Sequence, residues 1–98
     1  MLVLRVLRSG PLHGYAIAQV IRQTSEDLLQ IEEGSLYPAL QRLLRGGLVE
    51  AEWGVSSRNR KVRVYRITPA GRKQLQRELS SFDRMLEGIV RVLRPVEP

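Results

Sequence analysis

Ser35, Tyr37, Pro38, Gln41 and Arg42 fall within one short stretch, "SLYPALQR", and Arg58, Arg60 and Lys61 fall within another, "RNRK". The first set offers a hydroxyl, a phenol, an amide and a guanidinium, groups that hydrogen-bond to base edges and phosphate oxygens. The second set is cationic and belongs to a longer run. From Gly54 to Arg77 there are eight basic residues, Arg58, Arg60, Lys61, Arg63, Arg66, Arg72, Lys73 and Arg77, and no acid. Both sets suit a polyanionic partner. The whole chain agrees: 16 Lys and Arg against 10 Asp and Glu give a formal charge of +6. Such an excess favours nucleic acid first and acidic membrane surfaces second.

Other chemistries are poorly served. Without cysteine there is no disulfide, zinc-thiolate site or thiol catalysis. His13 is the only histidine and has no cluster of partners around it, so no catalytic residue, metal site or cofactor is expected. The opening residues are broken by Arg5 and Arg8 and do not read as a signal peptide. No apolar run approaches the ~18 residues of a membrane span. The expectation is a cytoplasmic protein with no membrane partner. A chain of 98 residues makes one small domain with a modest core.

The elements that must position these residues can be read from periodicity and caps. "LVLRVLR" at 2–8 reads as a short helix ended by "SGP". A second helix starts near 12–14 and runs to about Gln23, with Ile17, Val20 and Ile21 as its apolar stripe and "HGY" fixing its start. Residues 24–33 form a polar connection. Leu36, Leu40 and Leu43 then follow helical spacing although Pro38 sits among them. Ser35 as N-cap would put Pro38 at the third helical position, where a missing N–H costs nothing. That helix ends at Gly46-Gly47. Two alternating stretches, 48–53 and 62–68, flank the polar loop "GVSSRNRK" and read as an antiparallel hairpin. Tyr65 is expected on its packed face. Trp53 is expected to pack between hairpin and core, although a ligand in a dimer cleft could also stack on it. Thr68 caps a last helix with Pro69 in first position, running to about Leu93.

Three helices followed by a β-hairpin are the parts of a winged helix-turn-helix, mainly α with one hairpin. In that module the third helix enters the major groove and the hairpin, or wing, reaches flanking DNA. Taken alone, the polar side of residues 35–45 would be an ordinary solvated helix face. The cationic hairpin tip beside it makes a phosphate or minor-groove contact the more specific reading. Pro38 would add a flat apolar surface suited to a thymine methyl.

Leu75, Leu79, Phe82, Leu86, Ile89 and Leu93 are spaced 4, 3, 4, 3 and 4, the pattern of a heptad seam. A helix over 69–93 would be about 37 Å long, more than so small a domain covers. These six residues are therefore expected to face a second copy. The organisation expected is a DNA-binding unit over 1–68 and a dimerisation helix over 69–98 in one structural unit.

"GPLHGYAIAQVI", "EEGSLYPALQRLLRGGLVEAEW" and "YRITPAGRKQL" closely resemble the PadR family of bacterial transcriptional regulators, over about residues 2–80. The resemblance implies a homodimeric winged-helix repressor. It implies operator binding through the helix holding Ser35, Tyr37, Pro38 and Arg42, with the basic wing assisting, and dimerisation by the C-terminal helix. In some family members a small effector, such as a phenolic acid or a drug-like compound, releases the DNA. Family members commonly carry more residues before the first helix, which often helps dimerisation, whereas this chain begins at Met1. The short C-terminal part suits the compact subgroup with a single long helix. The rival expectation is a winged-helix protein-interaction module with only non-specific DNA affinity.

Overall fold

A computed structural model of the chain describes residues 1–94, and of Glu33 the backbone alone. Its elements, in order, are α1 (Leu2–Leu7), β1 (Leu12–His13), α2 (Gly14–Thr24), α3 (Glu33–Arg45), β2 (Val49–Val55), β3 (Lys61–Ile67) and α4 (Pro69–Leu93). The winged helix-turn-helix expected from the sequence is present, with one strand more than expected. Leu12 and His13 pair antiparallel with Tyr65 and Val64, so the sheet has three strands in the order β1-β3-β2. A two-residue strand has no alternation to read and is invisible to periodicity.

The core is small and shared by every helix. Val3, Leu4 and Leu7 of α1, Ile17 and Ile21 of α2, Leu36 and Leu40 of α3, and Val49, Tyr65 and Ile67 of the sheet form one buried cluster. Each helix contributes residues three or four apart, the spacing that lines one helical face. Leu75 completes the cluster at 1% exposure, and Leu79 packs against it. This corrects the expectation that all six residues of the heptad series face a second copy: Leu75 and Leu79 serve the chain's own core. The series splits where the domain ends. Beyond Leu79 every described residue of α4 is exposed, including Phe82, Leu86, Ile89 and Leu93. The chain is correspondingly elongated, 64 × 29 × 22 Å with a radius of gyration of 16.4 Å. A compact chain of this length would have about 13 Å.

Local chemistry explains the joints. His13 opens α2, its Nδ1 accepting from the Ala16 N–H at 3.3 Å. The end of α3 is a Schellman motif: Gly47 takes φ +70°, its N–H donates to Leu44, and the Leu48 N–H reaches back to Leu43. Thr68 then fastens this turn to α4. Its N–H donates to the Leu48 carbonyl at 3.1 Å, its hydroxyl donates to the Gly47 carbonyl at 2.7 Å, and the same oxygen accepts from the Gly71 N–H at 3.0 Å. The approach is so close that a Cβ on Gly71 would overlap the Leu48 carbonyl oxygen. Gly71→Ala is therefore expected to destabilise the fold by about 1–3 kcal/mol or more, the usual cost of overpacking. The shift in urea midpoint measures it, and an unchanged midpoint would mean that the α3–α4 joint is loose.

Candidate nucleic-acid interface

Helix α3 starts earlier than its cap chemistry suggests. Glu32 is the N-cap, without a side-chain cap bond, and the N–H groups of Ser35 and Leu36 both turn back to the Glu32 carbonyl. Ser35 thus lies inside the first turn, not at the boundary, and Pro38 is the sixth helical residue, not the third. This is a correction with a physical consequence. At that depth a residue would normally donate its N–H to the carbonyl four positions back, here Gly34. Proline has none to give, so α3 carries a broken rung in its second turn.

Around that rung lie the predicted contact residues. Leu36 and Leu40 are buried, which turns the opposite side outward. Ser35, Pro38 and Arg42 form one exposed row, and Tyr37, Gln41 and Arg45 the adjoining one. All five of the residues singled out on this helix are thus on one open side of α3.

The hairpin supplies the second half. Its tip, residues 56–60, is closed by the Ser56 N–H donating to Arg60 at 2.8 Å and the Asn59 N–H donating to Ser56 at 2.9 Å. The Ser56 hydroxyl oxygen accepts from the Arg60 N–H. Asn59 takes φ +60°, a conformation Asn tolerates better than most residues. This tight turn presents Arg58 and Arg60 at the end of the wing, with Lys61 opening β3, all three exposed.

The register sorts the rest of the hairpin into two unlike faces. Val49, Ala51, Trp53 and Val55 pair with Ile67, Tyr65, Arg63 and Lys61 and share one face. At its base this face is core. Toward the tip it leaves the core and becomes Trp53, Arg63, Val55 and Lys61. The other face carries Glu50, Glu52 and Arg66, with Glu52 and Arg66 paired at 2.8 Å. Burial pushes the Tyr65 phenol above its ordinary pKa, while Arg63 opposes the shift and the Tyr37 phenol adds to it. Tyr65 shares the buried cluster with Leu36 and Leu40 of α3, so the face that carries Tyr65, Arg63 and Trp53 is the one turned toward α3.

Two readings change here. Trp53 does not pack between wing and core: it is 65% exposed, with the Lys61 ammonium 5.1 Å from its ring centroid. Arg63, counted in the basic run but not singled out, shares that face. Counting alternate residues outward from Val49 puts both on one face but does not show where that face leaves the core. Among the described residues, no group of three or more His, Cys, Asp or Glu could hold a metal ion, and no helix is long and apolar enough to cross a membrane.

Pro38→Ala restores the missing rung at an exposed position. It is expected to raise stability by about 1–2 kcal/mol, the helix gain less the lost stiffness of the unfolded chain. Urea unfolding checks the sign, and a loss of stability would show that the proline ring packs more than its exposure indicates.

Comparison with known proteins bears on the whole arrangement. A family model described as the transcriptional regulator PadR-like family matches residues 3–77. An uncharacterised 37.1 kDa protein from a Streptomyces fradiae transposon is 45% identical over 85 residues, which are 87% of this chain and 23% of that protein. The chain thus spans about a quarter of that relative's length. The solved structure of a transcriptional regulator from Clostridium thermocellum superposes with a TM-score of 0.86 at 28% identity, covering 95% of this chain and 90% of that one. Bacillus subtilis PadR, solved in complex with operator DNA, has the same fold at a TM-score of 0.70 and 23% identity, over 80% of this chain and 44% of that one.

Proposed function

We propose that this chain, which belongs to the transcriptional regulator PadR-like family, is a homodimeric repressor that binds a palindromic operator through α3 and its basic wing. The observation that carries the reading is the conjunction of two exposed surfaces on one module. One is the hydroxyl, amide and guanidinium side of α3; the other is the cationic tip and inner face of the hairpin. Arg42, Gln41, Tyr37 and Ser35 supply base readout in the major groove, and Pro38 lies beside them as an apolar surface. Arg58, Arg60 and Lys61 neutralise flanking phosphates, which gives affinity without sequence preference. A relative of the same fold has been solved on operator DNA, which supports the same use of the fold here.

Support for the dimer comes from the free end of α4. Phe82, Leu86, Ile89 and Leu93 form an exposed apolar stripe, widened by Met85 and Val92. Gly88 lies in the same patch, a small residue that lets another helix approach. Patches of this kind mark association surfaces. An open, mainly apolar groove of about 540 Å³ lies between α1 and α2, lined by Leu2, Val6, Leu12, Val20 and Leu29 among others. Its place beside α1 suits the share in dimerisation that the family resemblance gives to that helix. Two α3 helices about 34 Å apart read successive major grooves of a palindrome. An effector that favours another spacing would release the DNA, as differential binding requires.

The test is an anisotropy titration of a duplex from immediately upstream of the protein's own gene, against a scrambled duplex of equal length. A preference of about 10³ or more is expected. Equal, steeply salt-dependent binding to both would refute the operator reading and favour a protein-interaction module. In the same assay Arg42→Ala is expected to cost about 1–3 kcal/mol on the preferred duplex, the worth of a good base contact. Unchanged affinity would remove Arg42 from the readout. Ile89→Asp, which puts a charge into the apolar stripe, is expected to weaken self-association about a hundredfold or more. Sedimentation velocity checks this, and an unaltered dimer would move the seam elsewhere.

A further inference from the structure

The wing holds an apolar surface that phosphate contacts leave unused. Trp53 is 65% exposed and Val55 69% exposed, and both lie on the α3 side of the hairpin. Isolated exposed apolar residues are ordinary, but this pair has a specific setting. Directly across from Trp53 is Arg63, and directly across from Val55 is Lys61. The Lys61 ammonium lies over the indole ring at 5.1 Å, a cation–π distance. The indole is thus bordered by cations whose charge points along the face. The acids of the hairpin, Glu50 and Glu52, are on the opposite face, and Arg66 pairs with Glu52 there. A single β-ribbon so divided has one side that attracts anions and one side that does not.

We infer, on the premise that the chain binds DNA, that this inner face of the wing seats the sugar–phosphate wall of the duplex next to the α3 contact. The Trp53 ring packs on the deoxyribose faces, and Lys61 and Arg63 hold the phosphates on either side. Charge complementarity selects the occupant, since an apolar protein surface would meet the Lys61 and Arg63 cations here. The face is also continuous with the buried base of the sheet through Tyr65 and Ala51. The indole is therefore carried on the paired strands and not on the turn at the tip. Cations alone would be steered to any phosphate. A flat ring beside them sets the depth at which the wing enters the groove and excludes water from the ion contacts, which strengthens them. The contact is with sugar and not with bases, so it adds affinity on every sequence.

Trp53 is the only tryptophan, so its own emission reports the contact. Emission and acrylamide quenching are recorded while the upstream duplex and its scrambled counterpart are added, with anisotropy of labelled duplex followed in parallel. On binding, emission should shift to the blue and quenching should fall at least about twofold as the ring is shielded. Trp53→Ala should weaken binding to both duplexes by about five- to 150-fold, the range for losing one aromatic contact to nucleic acid. Its salt slope should stay unchanged, because no counterion is involved. Lys61→Gln should instead lower the slope by about one. Trp53→Phe should retain most of the affinity. Urea unfolding of Trp53→Ala should match the wild type, as an exposed site allows. Binding by anisotropy with unaltered quenching and a wild-type Trp53→Ala would overturn the inference and leave the DNA-binding reading intact. No binding to either duplex at low salt would remove both. Shielding of Trp53 that follows protein concentration without DNA would assign the face to a second copy, and the inference would fall.

Discussion

The angle between α3 and α4 is set at Thr68. Its amide and hydroxyl bind the two carbonyls at the end of α3, and its oxygen also caps α4. One residue therefore joins the helix that carries the polar contact side to the helix that leaves the domain. The Schellman turn at Gly46-Gly47 makes those carbonyls available by turning the chain sharply. The glycine at 71 lets α4 come close enough to use them. Side-chain packing alone would leave this joint some freedom, because leucines repack with little cost when volume is kept. Three hydrogen bonds with fixed directions leave much less.

The division of labour along α4 follows from this joint. Its first turns are committed to the chain's own core through Leu75 and Leu79, and its remainder projects past the domain. The direction in which α4 leaves the domain is therefore fixed with respect to α3, although no described residue covers its far half. In an assembly built on that part, the separation and tilt of two α3 helices are properties of the joint and the seam together. The wing is held by different means, a continuous sheet whose inner face runs from core to tip without a break in register.

How much of this was legible depended on how local the chemistry was. Thr68 and Pro69 announced the start of α4 correctly, because capping and the N1 preference of proline are decided within four residues. The start of α3 was misread for the opposite reason. Ser35 and Pro38 carry strong boundary signals, and the helix overrides both, beginning two residues before Ser35 at the cost of a missing hydrogen bond. Departures from local rules tend to gather where function demands a particular surface, and this one lies amid the exposed residues proposed to meet DNA. The heptad series ran unbroken through Leu75 and Leu93 because periodicity records which residues are apolar, not where the domain under them stops. Trp53 was misplaced by the same blindness: its strand face is core at Val49 and solvent four residues later. The β1 pairing, which anchors the start of α2 to the sheet, is two residues long and left no pattern at all.

The overhang of α4 has a consequence for how the protein responds to its own abundance. Residues 80–93 form a helical segment that is exposed throughout among the described residues. Isolated helices of about this length are marginal in water, since each must bear its own nucleation cost. If two chains associate as proposed, that half of α4 frays when they are dilute and becomes ordered as they meet. Folding of the segment and assembly then become one event, and the population of ordered species rises more steeply than in proportion to the number of chains. Under the proposed homodimer, such a protein would act as a threshold device: scarce chains would be largely inactive, and a modest burst of synthesis would carry them across.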